Sequence, residues 1–252
     1  MTRAIVLAAG QGTRLRPHTD DRPKCLVELA GRPLLARQLD TLRHCGIDDT
    51  VIVGGYRADR LDQWHDRIVV NEAYASCNMV HSLFCAAEAF DGGDDLLIAY
   101  SDILYEDRVL RALLASPAPL AVAVNTDWRA LWELRMDDPL SDAESLRIDA
   151  AGNITDIGRK ASGYDEIEGQ YMGLIKVRAD IAPVLKQAYA ALGPERTGMY
   201  MTDFLQGLAD AGIPLTAVLV DGGWLEIDTV EDLDVFERLA ADGTLRRFYR
   251  EP

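Results

Sequence analysis

The sequence predicts an α/β fold in which a mostly parallel sheet carries helices on both faces. Three observations lead there. Short apolar runs alternate with amphipathic segments over residues 3–125, the rhythm of repeated β-α-β units. Each apolar run stops at a glycine or at a short polar side chain instead of growing into a long hydrophobic stretch. The chain has 252 residues, 48% of them hydrophobic and 27% charged, which is enough to bury one full core.

The elements follow in order. Ala4–Ala9 is a short apolar run closed by Gly10, which fits a buried strand. In Arg32–Cys45, Leu34, Leu35, Leu39 and Leu42 recur at helical spacing. Gly46 then stands where a helix end favours a residue free to adopt positive φ. Thr50–Val53 is the next strand, with a helix over Ala58–His65 and a strand over Ile68–Val70 behind it. Val80, Leu83, Phe84 and Ala87 line one face of a helix over Met79–Phe90. Strand Asp95–Tyr100, helix Glu106–Ala115 and strand Leu120–Asn125 complete the series. Beyond Thr126 the rhythm changes. Trp132–Met136, Leu146–Asp149, Ile154–Ile157 and Gln170–Val177 read as short strands with no long helix between them. Helices return at Ala179–Leu192 and Met201–Ala211, followed by a strand at Leu215–Val220 and a helix at Val230–Ala241. No linker, repeat or low-complexity tract breaks the chain. One domain, 1–252, with an inserted or appended β layer is the expected organisation.

Charge narrows the function classes. The 26 Lys and Arg residues against 41 Asp and Glu leave a net charge of −15, which argues against a general nucleic-acid or anionic-membrane binder. The deficit is uneven. Residues 1–37 hold seven basic side chains (Arg3, Arg14, Arg16, Arg22, Lys24, Arg32 and Arg37) against three acidic ones. A cationic segment on an acidic protein suggests a small anionic ligand. Cys25, Cys45, Cys77 and Cys85 form no C-x-x-C pair and read as reduced thiols. The N-terminal apolar run is too short for a signal peptide, and no stretch approaches the ~20 apolar residues of a membrane span. A cytoplasmic protein is expected. Nothing in the chain fixes its oligomeric state, and a homodimer is compatible with it.

The first strand runs into Leu7-Ala-Ala-Gly-Gln-Gly-Thr-Arg14, with Arg22-Pro-Lys24-Cys-Leu close behind. A glycine-rich turn after a strand lets backbone N–H groups approach phosphate oxygens. Two familiar phosphate loops fit badly. There is no G-x-x-x-x-G-K-[ST], and G-x-G-x-x-G is met only as Gly10-x-Gly12-x-x-Leu15, with no acidic residue closing the second strand. The longer string, completed by Gly31-Arg-Pro-Leu-Leu35, resembles the nucleoside-triphosphate transferases, the sugar-1-phosphate nucleotidyltransferase-like superfamily. The order of landmarks continues across nearly the whole chain. The resemblance implies a Rossmann-like sheet, with residues 1–125 as the nucleotide-binding half and 126–252 as a smaller, β-rich acceptor-binding half. It also implies that Leu7, Ala8, Ala9 and Gly10 hold base and ribose, and that Gly12, Thr13, Arg14 and Lys24 hold the triphosphate. An arginine and a lysine suit that chemistry, because attack on the α-phosphorus needs the leaving pyrophosphate neutralised.

Asp102 lies just past the carboxyl end of a buried strand, the edge at which ligands bind in open α/β sheets. Asp228 precedes a helix, where an N-cap with Glu231 as its capping-box partner is the alternative reading. Both match the family's carboxylates for Mg²⁺, and two suffice because magnesium leaves its other sites to phosphate oxygens and water. With Lys24 and Arg14 they are the expected catalytic set. No general base is needed, since a phosphate or phosphonate nucleophile is already ionised. His18, His44, His65 and His81 are scattered and read as ordinary.

The segment Asn71-Glu-Ala-Tyr-Ala-Ser-Cys-Asn78-Met-Val-His-Ser82-Leu resembles the choline-phosphate and phosphonate cytidylyltransferases, whose pattern here is N-x-x-Y-x-x-x-N-x-x-x-S-L. That implies CTP as donor, with Asn78 and Ser82 on the pyrimidine edge. On the acceptor side, Arg159 and Lys160, with Glu168 and Tyr171, resemble that branch's acceptor region. Two adjacent cations suit a doubly charged phosphate or phosphonate. Trp132, Trp224 and Tyr171 are candidates for an aromatic wall around a choline-like cation, and Glu168 and Glu226 for carboxylates holding an aminoethyl group. The expected activity is Mg²⁺-dependent transfer of CMP from CTP to a small phosphonate or phosphorylated alcohol, releasing pyrophosphate. Two alternatives stand beside it: a sugar- or polyol-phosphate nucleotidyltransferase using UTP, dTTP or another nucleotide, and a non-catalytic nucleotide-binding regulatory module.

Overall fold

The computed structural model describes residues 1–251. Its main sheet has seven strands. They are β1 (Thr2–Ala8), β4 (Asp49–Gly54), β5 (Ile68–Val70), β6 (Asp95–Tyr100), β8 (Leu120–Asn125), β11 (Gln170–Val177) and β12 (Thr216–Val220). Their order across the sheet is β12-β8-β11-β6-β1-β4-β5. All run parallel except β11, which is antiparallel to both β6 and β8. Three small antiparallel pairs surround it. They are β2 (Glu28–Leu29) with β3 (Arg32–Pro33), β7 (Ile103–Tyr105) with β13 (Trp224–Glu226), and β9 (Glu144–Ile148) with β10 (Ile154–Lys160).

Seven helices complete the fold: α1 (Leu34–His44), α2 (Met79–Cys85), α3 (Asp107–Ala115), α4 (Trp128–Arg135), α5 (Ala182–Ala191), α6 (Met201–Asp210) and α7 (Val230–Ala241). They divide between the two faces of the sheet. In β1, Ala4, Val6 and Ala8 join one apolar cluster with α1, α3, α4 and α7. Ile5 and Leu7 join the other, with α2, α5 and α6. Alternation along a strand thus buries both faces, which is why the strands read as continuous apolar runs. The turn after α1 forms as the sequence predicts. Gly46, at φ 81°, follows the C-cap, and the Ile47 N–H reaches back to the Leu42 carbonyl.

Four expectations need correction. Trp132–Met136 is not a strand; it falls mostly within helix α4, where Trp128, Leu131 and Trp132 (at i, i+3 and i+4) form a buried face. Helix-forming Arg129, Ala130, Glu133 and Leu134 outweigh the strand preference of the tryptophans, and Arg129 bonds Glu133 at 2.7 Å one turn on. Gln170–Val177 is a strand, but it lies inside the main sheet and not in an added layer. Ala58–His65 supplies only a 3₁₀ turn, Ala58–Arg60, because Leu61 is its only fully buried side chain. The Met79–Phe90 helix breaks after Cys85 into a 3₁₀ turn at Ala87–Ala89. The main sheet therefore draws two strands, β11 and β12, from beyond residue 125.

Candidate active site

Parallel strands deliver their carboxyl ends to one edge of the sheet, and the site grows there. β1 ends into Ala9–Arg16 and β6 into Ser101 and Asp102. The antiparallel β11 brings its first residues to the same edge, where Gln170 pairs with Asn125 and Tyr171 with Val124. In the loop after β1, Gly12 has φ 59° and lies against Lys24, whose Cβ would stand 3.0 Å from any Cβ added at Gly12. Glycine is required twice over, for the backbone conformation and for the approach of the lysine.

Lys24 Nζ bonds Asp102 Oδ2 at 2.7 Å and Asp228 Oδ1 at 2.6 Å. Arg14 bonds the other oxygen of Asp228. The lysine is mostly buried. Burial opposes its charge, but the two carboxylates outweigh burial and hold its pKa above the ordinary value. The four residues singled out as catalytic thus meet at one point, although they come from three distant parts of the chain. Asp228 is not an N-cap. Thr229 caps α7, and its capping-box partner is Asp232, not Glu231. Asp232 also accepts the Asp228 N–H at 2.9 Å, which fixes the backbone that carries the carboxylate.

Two cavities meet at this cluster. The smaller, of about 120 Å³, is lined by Leu7, Ala9, Gly10, Lys24, Tyr74, Cys77, Asn78, Ser82 and Asp102. Ala8 points to the opposite face of the sheet, into the apolar cluster. Thr13 is exposed at the start of a 3₁₀ turn. Asn78 caps α2 by accepting the Met79 N–H at 2.8 Å.

The larger cavity, of about 250 Å³, has a wall of Tyr100, Trp132, Tyr171, Tyr200 and Trp224 and five carboxylates: Asp102, Asp142, Glu144, Glu226 and Asp228. Trp132 stacks on Trp224 with centroids 5.7 Å apart, and Tyr171 meets Tyr100 edge to face. The indole N–H of Trp132 bonds Asp142, and that of Trp224 bonds the Met172 carbonyl, so both rings are tied in place. Gly173, at φ 74°, opens the space, since a Cβ there would stand 2.8 Å from the Tyr100 ring. Burial, then the neighbouring Asp102 and Asp228, push the Glu226 carboxyl up, while Arg135 and Lys24 pull it down. Glu144 is exposed at the mouth, with its carboxyl turned into the acidic cleft. Enclosure by the cleft, with Asp142, Glu226 and Asp203 nearby, pushes its carboxyl up to about 7.

Of the residues expected on the acceptor side, Tyr171 lines this cavity. Arg159 is exposed and forks onto Asp156 at 2.5 and 2.8 Å. Glu168 is exposed and accepts the Ile148 N–H. Lys160 is exposed at the end of β10, directly across the strand pair from Glu144, and opposed residues share a face. It is not among the residues that line the cavity. Glu144, Asp142, Gln170 and Tyr200 were missed by the sequence reading, since no motif marks them and only tertiary contact collects them.

Asp102 Oδ1 is buried with no hydrogen-bond partner. That orphaned oxygen, beside a second carboxylate, fits a divalent cation. Among the described residues no cluster of three or more His, Cys, Asp or Glu is arranged to hold a metal by itself. The donor set is therefore one for a cation that takes its other ligands from phosphate and water.

Residues 4–220 match the model of the MobA-like NTP transferase domain. The chain belongs to that family. It is a nucleotidyltransferase, and its two cavities meet at Lys24, Asp102 and Asp228. Among its relatives is the CTP:phosphoglutamine cytidylyltransferase of Campylobacter jejuni, 37% identical over 248 residues, covering 92% of this chain and 98% of that one. Another is the CMP-5'-(3-aminopropyl)phosphonate synthase of Streptomyces rubellomurinus, 30% identical over 91% of this chain but only 37% of the relative. The solved structure of the CTP:phosphocholine cytidylyltransferase from Streptococcus pneumoniae is 22% identical, with a TM-score of 0.71 over 95% of this chain and 99% of that one. That last likeness is of fold. No helix among the described residues is long and apolar enough to cross a membrane.

Proposed function

We propose that this nucleotidyltransferase transfers CMP from CTP to a small phosphate or phosphonate that also carries a cationic nitrogen, releasing pyrophosphate. The observation that carries the reading is the pairing of the two cavities: a narrow one beside the glycine loop for the nucleotide, and an acidic, aromatic one for the acceptor, with a Lys-Asp-Asp cluster at their junction. Five carboxylates would repel a purely anionic acceptor. They suit one whose negative end meets Lys24 and Arg14 and whose positive end meets Glu144, Glu226 and the indoles. The name of one relative points the same way, for an aminopropylphosphonate carries such a nitrogen.

In the reaction an acceptor oxygen attacks the α-phosphorus of CTP, a new P–O bond forms, and the bond to the β-phosphate oxygen breaks. The nucleophile is an ionised oxyanion, so no proton has to be removed. The glycine loop, Arg14 and Lys24 bind and neutralise the triphosphate, and Tyr171, Glu144 and Glu226 orient the acceptor. Asp102 and Asp228 would hold Mg²⁺, which when bound withdraws charge from the phosphates. The test is pyrophosphate release from each of CTP, UTP, dTTP, ATP and GTP against phosphate and phosphonate acceptors with and without an amine. CTP with an amine-bearing acceptor should lead. Equal use of UTP would overturn the donor, and equal use of amine-free acceptors would overturn the acceptor class.

A further inference from the structure

We propose that Asn71 makes the base pocket read cytosine in preference to uracil, by acting through the Ser82 hydroxyl. The inference rests on CTP being the donor and adds the device that selects it. Asn71 follows β5 and is 1% exposed. Its Oδ1 accepts the Ala73 N–H at 3.0 Å, which fixes which end of the amide is which. Both protons of Nδ2 are then committed, one to Ser82 Oγ at 2.9 Å and one to Cys77 Sγ at 3.1 Å.

The consequence lies at Ser82. An amide nitrogen can only donate, so the serine oxygen must accept from it and must turn its own proton elsewhere. The nearest protein acceptor, the Asn78 carbonyl, is 3.5 Å away, a weak contact at best. Ser82 and Cys77 both line the narrow cavity beside Leu7 and Ala9. The hydroxyl therefore offers that cavity a donor. Cytosine N3 is a bare acceptor and takes the bond. Uracil N3 carries a proton, so donor would face donor and one buried group would go unpaired. Sites built to pair a polar group discriminate strongly against a ligand that cannot pair it. Asn71 touches no base in this account and is a positioning residue.

The experiment compares kcat/KM for CTP and UTP in the wild type, Asn71→Asp and Ser82→Ala, with the amine-bearing phosphate or phosphonate that the wild type uses best in the acceptor panel held saturating. An aspartate at 71 accepts from Ser82 and turns its lone pairs toward the base, so the CTP:UTP ratio should fall at least tenfold with the acceptor KM unchanged. Ser82→Ala removes the donor and should lower the ratio by a similar factor. If Asn71→Asp does not fold, Asn71→Ala frees the hydroxyl to rotate and should also lower the ratio. A merely structural role lowers both nucleotides together. A parallel loss, or a ratio within twofold of the wild type in a folded Asn71 variant, overturns the proposal. If the wild type itself favours UTP, the donor assignment has failed instead.

Discussion

Lys24 is a single ammonium shared by two carboxylates, and its loss has a specific consequence. In Lys24→Ala, Asp102 and Asp228 lose their common cation at 2.7 and 2.6 Å, and the triphosphate loses a positive partner. At ~10²–10³-fold for one electrostatic group at a reacting centre, turnover with CTP should fall by that order while CMP binding changes little. Titration calorimetry with CMP beside steady-state kinetics checks it, and equal losses for both would move the lysine to the base. Asp102→Asn and Asp228→Asn should each lower kcat by a similar factor with the melting temperature held; a folded variant of near wild-type kcat would show that its carboxylate is not at the reacting centre. These residues were legible because each stands in a sequence string that fixes its place: the glycine loop, the end of β6, the start of α7. Glu144 and Gln170 stand in no such string. Asn71 does open the motif that carries Asn78 and Ser82, yet the sequence could not show that its amide faces Ser82. Arg159 is the opposite case, since adjacent cations suggest an anion site and only the fold shows the guanidinium paired with Asp156, three residues back.

At the scale of elements, α4 and α7 are clasped by a buried ion cluster. Arg135, at the end of α4, has a side chain only 3% exposed. It forks onto Asp232 of α7 at 2.8 and 3.1 Å and bonds Glu226 of β13 at 3.0 Å. Burial works against the Asp232 charge, but the hydrogen bond from Arg135 holds its carboxyl below the usual range. Arg135→Met strands that carboxylate, and breaking one partner of a buried pair costs about 3–5 kcal/mol. Arg129→Met breaks the exposed Arg129–Glu133 pair on the same helix and the contact of its guanidinium over the Tyr164 ring, and should cost under ~1.5 kcal/mol. Urea unfolding of the two variants decides it, and equal midpoints would show that the cluster carries no stability. That clasp is invisible in the sequence because Trp132–Met136, which holds Arg135, reads there as a strand. The long helices were legible from their 3.6-residue pattern, and the strands buried on both faces as continuous apolar runs closed by turn residues. The two- and three-residue strands β2, β3, β7 and β13 are too short to show a period, and distant partners alone define them.

For the molecule as a whole, an acidic chain folds so that carboxylates from β9, β13 and the loop after β6 line one cavity, and global stability must register the crowding. The Glu144 carboxyl titrates at about 7 when folded, against an ordinary value of 4.5. Facing it are Asp142, Glu226 and Asp203, all acidic, with Lys160 its partner across the β9–β10 pair. Between those two pH values the folded chain holds a proton that the unfolded chain has released, so this group's contribution falls as pH rises from about 4.5 to about 7 and stays lost above. Glu144→Gln removes the penalty. Its melting temperature should match the wild type near pH 5 and exceed it near pH 8, in the absence of nucleotide and acceptor. Function should move the other way, because in the proposed reaction the ionised carboxylate meets the cationic end of the acceptor. At pH 8 the variant should lose about tenfold in kcat/KM for an amine-bearing acceptor, the size expected for one charge-assisted contact of ~1.5 kcal/mol, with KM for CTP unchanged. Thermal melts at the two pH values, read beside acceptor kinetics, test both halves. A variant no more stable than the wild type at pH 8, or one that keeps full acceptor use there, would show that Glu144 carries neither the strain nor the contact.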